Sequence, residues 1–345
     1  MSGNLRSYSG ITTKSKAKQG KLLKKEDYEE LLSQPSVRDF VLFIKSQEAY
    51  RPFFETFNEN IVHRGQIEKV LKHSLFESYE SLYSFANEQQ RKQMALVSFH
   101  YEINILSECL RRVYSKDIDI DYRSYQKILN NHINLPLEQL VEAKSIETFL
   151  DALKGTRYEH VFEPILNSKS YTLFDLLMHL NCYYYKTVWK LKNKVLTAKQ
   201  NVTFTKCIGS KIDVQNLMLI YRCKKYYKVD ANKILSILIP VNYRLSKSEM
   251  NELINTSSVS EFINRVQKTR YKIPLEHVTQ EDMERVYYQR IAKAYTDSKR
   301  MDPISMSSIF CYLYLKEREL DNLTTIIEGI RYGLSKEKIQ EFLIV

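Results

Sequence analysis

His179 and Cys182 are the residues whose types and spacing come nearest to a metal or nucleophile site. They stand three residues apart in a segment rich in leucine and tyrosine, which places them on one face of a predicted helix. Such a pair supplies two zinc ligands, or a thiol nucleophile beside a base. A tetrahedral zinc site needs further ligands, and the sequence has no CxxC and no second His pair. We therefore expect a structural histidine and a structural cysteine, and no metal site.

Two other patterns could carry chemistry. The run Gly209–Lys211 (GSK) resembles the end of a phosphate-binding loop, but the upstream glycine is missing at the required distance, so it predicts an ordinary loop. Glu26 with Asp27, and Asp321 near Glu317, are carboxylate pairs of the kind that general acid–base catalysis uses. Nothing places them in a cleft, so we interpret them as solvated helix charges. The sequence predicts no catalytic residue, no cofactor and no metal.

The chain is basic, with a formal net charge of +11 over 345 residues. Basic residues cluster at 14–25, 186–199 and 222–228, and a basic face can bind nucleic acid, an acidic protein or a lipid surface. The acid-rich segment 26–30 follows the first cluster directly, and no aromatic RNA-binding signature is present. We expect no nucleic-acid binding. The clusters are interpreted as solvated helix faces or as docking to an acidic protein or lipid surface.

Membrane and redox signals are weak. No segment approaches the roughly 20 apolar residues that cross a bilayer. The basic N-terminus lacks the apolar core of a signal peptide. The five cysteines are scattered without paired spacing. We expect a cytosolic chain with reduced thiols that does not span a membrane.

One pattern occurs three times along the chain. Each copy has an apolar or aromatic residue followed by two more apolar residues three and four positions later, and then a serine, a phenylalanine and a tyrosine. The landmarks are Tyr28, Leu31, Leu32, Ser36, Phe40 and Tyr50; Leu137, Leu140, Val141, Ser145, Phe149 and Tyr158; and Met250, Leu253, Ile254, Ser258, Phe262 and Tyr271. The spacing puts each apolar trio on one helix face, so each copy should bury a helical stripe.

Capping signals also predict helices. The serine of each copy is a candidate N-cap: Ser36 and Ser258 are followed three residues later by an acid, which is the capping-box spacing, whereas Ser145 has only a threonine there and keeps half of the box. Further boxes pair Thr172 with Asp175, Ser246 with Glu249, and Thr279 with Asp282. With only 8 Gly and 7 Pro in the chain, the composition favours long helices.

Prolines mark the limits of the copies. Pro136 and Pro240 precede the second and third copies, and Pro52, Pro164 and Pro274 follow each copy's tyrosine, where helices should stop. We predict an all-α chain of three homologous helical domains at residues 1–117, 118–229 and 230–345.

A long helix is predicted to close each copy. In the second and third copies an acid stands three residues before an asparagine, as Asp213 before Asn216 and Glu319 before Asn322. In the first copy the likeness is partial, with Tyr101 and Asn104 at the corresponding places.

The polar residues of these helices could contact a partner protein or bridge helices within the chain. They are Asp213, Arg222, Glu317, Glu319, Asn322 and Arg331. Bridging is favoured, because corresponding positions in several copies cannot all face one partner surface and because a buried charge needs a partner.

The order of these elements resembles the C subunit of bacterial and archaeal rotary V/A-type ATPases, which is called the d subunit in eukaryotes. The resemblance rests on 8–32 with its Gly20-Lys-Leu-Leu and Asp27-Tyr28 elements, on 212–227, on 235–240 and on 312–333. It covers essentially the whole chain.

The resemblance implies three similar helical domains in a pseudo-threefold, funnel-shaped arrangement without catalytic residues. It also implies two partners: the proteolipid rotor ring of the membrane, on whose cytoplasmic side the funnel sits as a peripheral subunit, and the central-stalk subunits. Torque would then pass through the chain during proton or sodium transport. Two other classes remain compatible with the residues, a generic helical-repeat adaptor that binds a cytosolic protein and a helical RNA-binding protein.

Overall fold

The computed structural model describes residues 2–58, 64–115, 135–166, 171–227, 229–272 and 280–344. Within these ranges the regular secondary structure is helical, with seventeen α-helices and no strand. The all-α prediction is therefore confirmed. None of the helices in the described ranges is both long and apolar enough to cross a membrane.

After α1, groups of three short helices are followed by pairs of long helices. The first group is α1 (Ser2–Gln19), α2 (Lys25–Leu31), α3 (Val37–Ser46), α4 (Arg51–Phe54), α5 (Arg64–Tyr83) and α6 (Glu88–Tyr114). The second is α7 (Leu137–Glu142), α8 (Ile146–Ala152), α9 (Glu163–Leu166), α10 (Leu173–Val195) and α11 (Ala198–Arg222), which continues as a π-helical turn, Cys223–Tyr227. The third is α12 (Ala231–Ile237), α13 (Lys247–Ile254), α14 (Val259–Val266), α15 (Gln280–Met301), α16 (Met306–Arg331) and α17 (Lys336–Phe342).

The helices form two compact units. The first combines Met1–Arg91 with Thr279–Val345, and the second is Lys92–Val278. In the first unit α16 packs against α1, α5 and α15, so the two ends of the chain share one core. In the second unit α10 and α11 form a helical hairpin, and α12 packs against α10 and α13. The three-domain division at 1–117, 118–229 and 230–345 stays a prediction.

The repeated apolar landmarks lie in the cores of these units, as predicted. Leu31, Leu140 and Leu253 are at most 1% exposed. The phenylalanine of every copy is fully buried. Val141 is the exception, since it is only half-buried. Burial of side chains of this size is the main stabilising contribution of each short helix, because the helices themselves are too short to be stable alone.

The serine of each copy caps a helix. The hydroxyl oxygens of Ser36, Ser145 and Ser258 accept hydrogen bonds from backbone amides three residues later, at 3.1, 3.3 and 3.1 Å. The expectation of a half box at Ser145 is wrong, because the Thr148 hydroxyl accepts from the Ser145 amide at 3.1 Å and completes it. The threonine hydroxyl can replace the usual carboxylate of a capping box, because both groups have an oxygen that accepts a hydrogen bond.

The other predicted boxes divide into four cases. At Ser36 the acid, Asp39, accepts from the Ser36 hydroxyl and the box is incomplete. Those that begin at Thr172 and Ser246 are present in full. At Ser258 the acid, Glu261, accepts instead from the amide of Ser257, at 2.7 Å. The box predicted at Thr279 lies outside the described residues.

Two prolines start helices rather than merely ending them. Pro52 and Pro164 each occupy the second position of a four-residue helix, α4 and α9. The preceding helices α3 and α8 end at Ser46 and Ala152, well before the prolines. First-turn amides have no acceptor within a helix, so proline loses nothing there. Pro274 lies outside the described residues.

The loop prediction for Gly209–Lys211 is wrong. These residues lie within α11, and Gly209 is buried there. A Cβ atom at Gly209 would stand 2.4 Å from Cγ of the Tyr243 ring. Glycine is required because an aromatic side chain packs directly on the helix backbone, not because a phosphate approaches it.

Gly209→Ala should destabilise the protein by about 1–3 kcal/mol, because the added methyl group overpacks against the Tyr243 ring. Gly65→Ala is the matched control, since Gly65 also lies in a helix and has no atom within 4 Å of the added Cβ. The control should be neutral or stabilising by up to about 1 kcal/mol. Urea unfolding of both variants tests this, and equal effects would contradict the packing argument.

Candidate functional site

The tyrosine landmark of every copy donates a hydrogen bond to a buried acid on a long closing helix. We call α6, α11 and α16 the closing helices. Tyr158 donates to Glu102 on α6 at 2.5 Å, and Tyr271 donates to Asp213 on α11 at 2.8 Å. Tyr50 donates to Glu319 on α16 at 2.6 Å. The three acids are 0–5% exposed. These three acid–tyrosine pairs are buried polar contacts that recur at equivalent places of the repeat.

Each acid–tyrosine pair joins one copy of the repeat to the next, and the last copy is joined to the first. The acid of the first copy binds the tyrosine of the second, and the acid of the second copy binds the tyrosine of the third. The acid of the third copy, Glu319, then binds Tyr50 of the first. Each pair therefore joins the closing helix of one copy to the short helices of the next.

The alignment of the first copy on Tyr101 and Asn104 is wrong by one position. The acid that binds a tyrosine is Glu102, whereas Asn104 is exposed and its side-chain amide lies 3.3 Å from a His100 ring nitrogen. The position equivalent to Asn216 and Asn322 is Ile105, which is why an alignment on asparagine failed. Glu102 itself was the available signal, since it is an acid among mainly apolar and aromatic neighbours.

Glu102 has a cationic partner as well as its tyrosine. The guanidinium group of Arg157 donates to the same carboxylate oxygen that accepts from Tyr158. The carbon of this guanidinium stands 4.3 Å from the centre of the Phe99 ring. Arginine suits this place, because its flat group can pair with a carboxylate while it stacks on an aromatic face.

Asp213 is held mainly by backbone amides. The amides of Tyr243, Arg244 and Leu245 donate to it at 3.4, 2.8 and 3.2 Å, and Tyr271 supplies the fourth hydrogen bond. These amides immediately precede the N-cap of α13. Burial raises the pKa of Asp213, and the hydrogen bonds offset this only in part.

Glu319 combines both kinds of partner. Lys316 donates to it at 3.0 Å from the preceding turn of α16, and the amide of Leu23, just before α2, donates at 2.6 Å. The ammonium nitrogen of Lys316 also lies 3.8 Å from the centre of the Tyr50 ring. Burial lowers the pKa of Lys316 although Glu319 opposes the effect. In the second and third copies, then, the acid fixes the segment that leads into the next copy.

The asparagines that follow these two acids hold extended backbone. Asn216 exchanges two hydrogen bonds with Ile239, each of 2.9 Å, and Asn322 exchanges two with Ile344, each of 3.0 Å. A side-chain amide can pair in both directions with one residue of extended chain, as a neighbouring strand would. The residues after α12 and α17 are thereby fixed in equivalent ways.

The arrangement stabilises structure and offers little for catalysis. Burial raises the pKa of Tyr50, Tyr158 and Tyr271, so their hydroxyl groups remain donors at neutral pH. Each acid is enclosed and already accepts hydrogen bonds from neighbouring groups. A general acid or base needs access to a substrate, which enclosed pairs of this kind do not give.

The other polar residues of the closing helices divide by exposure. Asp213, Glu319 and Asn322 bridge parts of the chain, which confirms the prediction for these three. Glu317 is half-buried. Arg222 and Arg331 are exposed, at the ends of α11 and α16.

His179 and Cys182 are partly buried, and Cys182 contacts the backbone at the end of α12. The Cys182 thiol lies 3.5 Å from the carbonyl oxygens of Ile237 and Leu238, at the end of α12. Burial raises the pKa of this thiol to about 11, so it stays protonated. Burial also lowers the pKa of His179. In the ranges that the structure describes, no three His, Cys, Asp or Glu side chains form a cluster that could hold a metal ion.

The carboxylate pairs proposed from the sequence are not assembled into a cleft. Asp27 accepts a hydrogen bond from the Lys24 amide at 2.7 Å and caps α2, beside exposed Glu26. Asp321 is exposed and forms an ion pair with Arg318. Both pairs act as helix charges.

Glu319→Ala should lower the free energy of unfolding by about 3–5 kcal/mol, because it leaves the Lys316 ammonium buried without its carboxylate. Glu30→Ala is the control, since Glu30 is an exposed glutamate of α2 in the same compact unit. Thermal and urea unfolding measure the difference. An unchanged melting curve for Glu319→Ala would show that the pair does not stabilise the chain.

Asp213→Asn should reveal the cost of ionising a buried acid. Because burial raises the pKa of Asp213, the wild-type protein loses stability relative to the variant as the pH rises above the unfolded-state value of about 3.9. The difference in unfolding free energy, wild type minus variant, should therefore decrease from pH 4 towards neutral pH. A difference that grows with pH would mean that the pKa of Asp213 is lowered by folding.

Comparison with known proteins identifies the family. Residues 11–342 match the family described as ATP synthase (C/AC39) subunit. The chain is 25% identical to the C subunit of the A-type ATP synthase of Thermococcus kodakarensis, over 97% of this chain and 90% of that protein. The corresponding proteins of Methanosarcina barkeri, 25% identical over 98% and 93%, and Methanocaldococcus jannaschii, 22% identical over 99% and 87%, are similar over comparable lengths. The chain therefore belongs to the ATP synthase (C/AC39) subunit family.

Proposed function

We propose that this chain is a non-catalytic subunit of a rotary V/A-type ATPase that couples the central stalk of the ATP-hydrolysing head to the proteolipid rotor ring. In this proposal it lies at the cytoplasmic face of the membrane as a peripheral subunit, with three helical domains arranged as a funnel. Its rotation accompanies transport of protons or sodium ions. Membership of the ATP synthase (C/AC39) subunit family supports the assignment to a rotary ATPase.

The observation that carries the coupling role is the hydrogen bond between Tyr50 and Glu319, which joins the first copy to the last at 2.6 Å. An open stack of repeats leaves its two end copies with neighbours on one side only. Here the end copies bind each other inside one compact unit. A rotor coupling must transmit load without shearing, and dense packing with buried polar links resists deformation.

The same observation favours a rotor coupling over an adaptor. Adaptors built from repeats present an extended concave surface and usually have shorter repeats than these. The acid–tyrosine pairs instead bury the charged groups that recur in the repeat. Partner surfaces must then be formed by exposed residues such as those at the ends of the closing helices.

Affinity purification from gently solubilised membranes of the host tests the proposed partners. We expect the tagged chain to recover the proteolipid of the rotor ring together with central-stalk subunits. Recovery of soluble proteins alone would favour the adaptor, and recovery of RNA with a steep dependence on salt would favour nucleic-acid binding.

A second measurement tests coupling itself. A rotary complex assembled without this chain should still hydrolyse ATP in its head but should not drive ion uptake into vesicles. Adding back the wild-type chain should restore uptake. Ion transport that is unaffected by omission of the chain would contradict the proposal.

A further inference from the structure

The sequence of the α10–α11 hairpin is rich in lysine. Residues 176–212 contain seven lysines and no aspartate or glutamate. The nearest acids along the chain, Asp175 and Asp213, both bind other residues of the chain. Asp175 forms an ion pair with Lys233 at 2.6 Å, and Asp213 is fully buried in its acid–tyrosine pair.

Three of these lysines form one row on α10. Lys186, Lys190 and Lys194 are spaced four residues apart, and all three side chains are exposed. We call them the lysine stripe. At 1.5 Å of rise per residue the stripe extends about 12 Å along the helix. Exposed Lys199 follows across the turn, in the first turn of α11.

A row of like charges at this spacing destabilises a helix, because side chains four residues apart are neighbours on its surface. Surface helices usually relieve this repulsion with acids at the intervening positions, as Lys338 and Glu341 do elsewhere in this chain at 2.6 Å. Among the described residues, no acid forms an ion pair with the lysine stripe. The uncompensated row therefore suits an anionic surface outside the chain.

We propose that the lysine stripe docks on an anionic phospholipid surface. Lysine is depleted in protein–protein interfaces, whereas clustered lysines are typical of attraction to anionic headgroups. An ammonium group is a compact charge that needs no fixed acceptor geometry, which fits a fluid layer of headgroups. The proposal stands on the hairpin alone and does not rest on the proposed coupling role.

Apolar side chains of the same hairpin fit the same partner. Trp189, the single tryptophan of the chain, is half-buried between two lysines of the stripe, and the Lys192 ammonium lies 4.4 Å from its ring. Val202, in α11 close to the turn, is 57% exposed. Tryptophan is enriched at membrane–water interfaces, where one part of its ring is apolar and the other is hydrated.

Vesicle flotation with the purified full-length chain tests the proposal. The vesicles are phosphatidylcholine alone, or phosphatidylcholine with about 30 mol% phosphatidylglycerol, because headgroup charge is the variable that matters. We expect binding to the anionic vesicles at about 50 mM salt, weak binding at about 500 mM, and little binding to neutral vesicles at either. Equal binding to neutral and anionic vesicles would overturn the proposal.

The variant that locates the site is Lys186→Gln/Lys190→Gln/Lys194→Gln. Its matched control is Lys144→Gln/Lys247→Gln/Lys268→Gln, which removes the same charge from exposed lysines elsewhere in the same compact unit. The stripe variant should bind anionic vesicles at least about tenfold more weakly than wild type, and the control less than about twofold. Circular dichroism melting of both variants establishes that they fold.

Other outcomes would assign the surface differently. An equal loss in both triple variants would mean that net charge alone attracts the chain to lipid. If the stripe variant kept full vesicle binding but lost a co-purifying protein, the stripe would be a protein-docking surface. If it lost only RNA binding, the stripe would bind nucleic acid. Each of these results contradicts a lipid-docking stripe.

Discussion

Burial of a carboxylate is the constraint on which this structure depends. A carboxylate removed from water destabilises the fold by several kcal/mol unless hydrogen bonds and opposite charge replace its solvation. At Glu102, Asp213 and Glu319 the replacement includes a tyrosine hydroxyl that belongs to a different copy of the repeat. Correct folding of a closing helix is therefore coupled to correct placement of the next copy, because that copy supplies the tyrosine donor.

The three acid–tyrosine pairs differ in the additional groups that bind the acid. Acid and tyrosine are kept, while the additional partner is Arg157 in one case, backbone amides in the second, and Lys316 with one amide in the third. A guanidinium, a row of amides and an ammonium all satisfy a buried acceptor, so the sequence around each pair is free to diverge. The pairs remain equivalent in position while their electrostatics differ.

What the sequence could predict was local. The buried trios and serine caps depend on residues three or four positions apart, and the structure has them as expected except at Val141, which is half-buried. The acid–tyrosine pairs join residues 56, 58 and 269 positions apart, and no spacing rule connects such partners. The first copy was misaligned because Ile105 replaces the asparagine used as a landmark. Gly209 was misassigned because the ring that covers it, Tyr243, comes from a distant segment.

Contacts between residues near the two ends of the sequence limit how early the first unit can be completed during synthesis. The amide of Leu23 donates to Glu319, which lies 296 residues later in the sequence. The hydroxyl of Ser15 donates to the carbonyl of Ser308, 293 residues later. The unit Lys92–Val278 can fold before the last helices are made, because all of its residues leave the ribosome earlier than those helices do. Contacts so distant in sequence form slowly. The part of the chain that is made first is thus completed last, and α1–α5 must avoid wrong partners until α16 arrives.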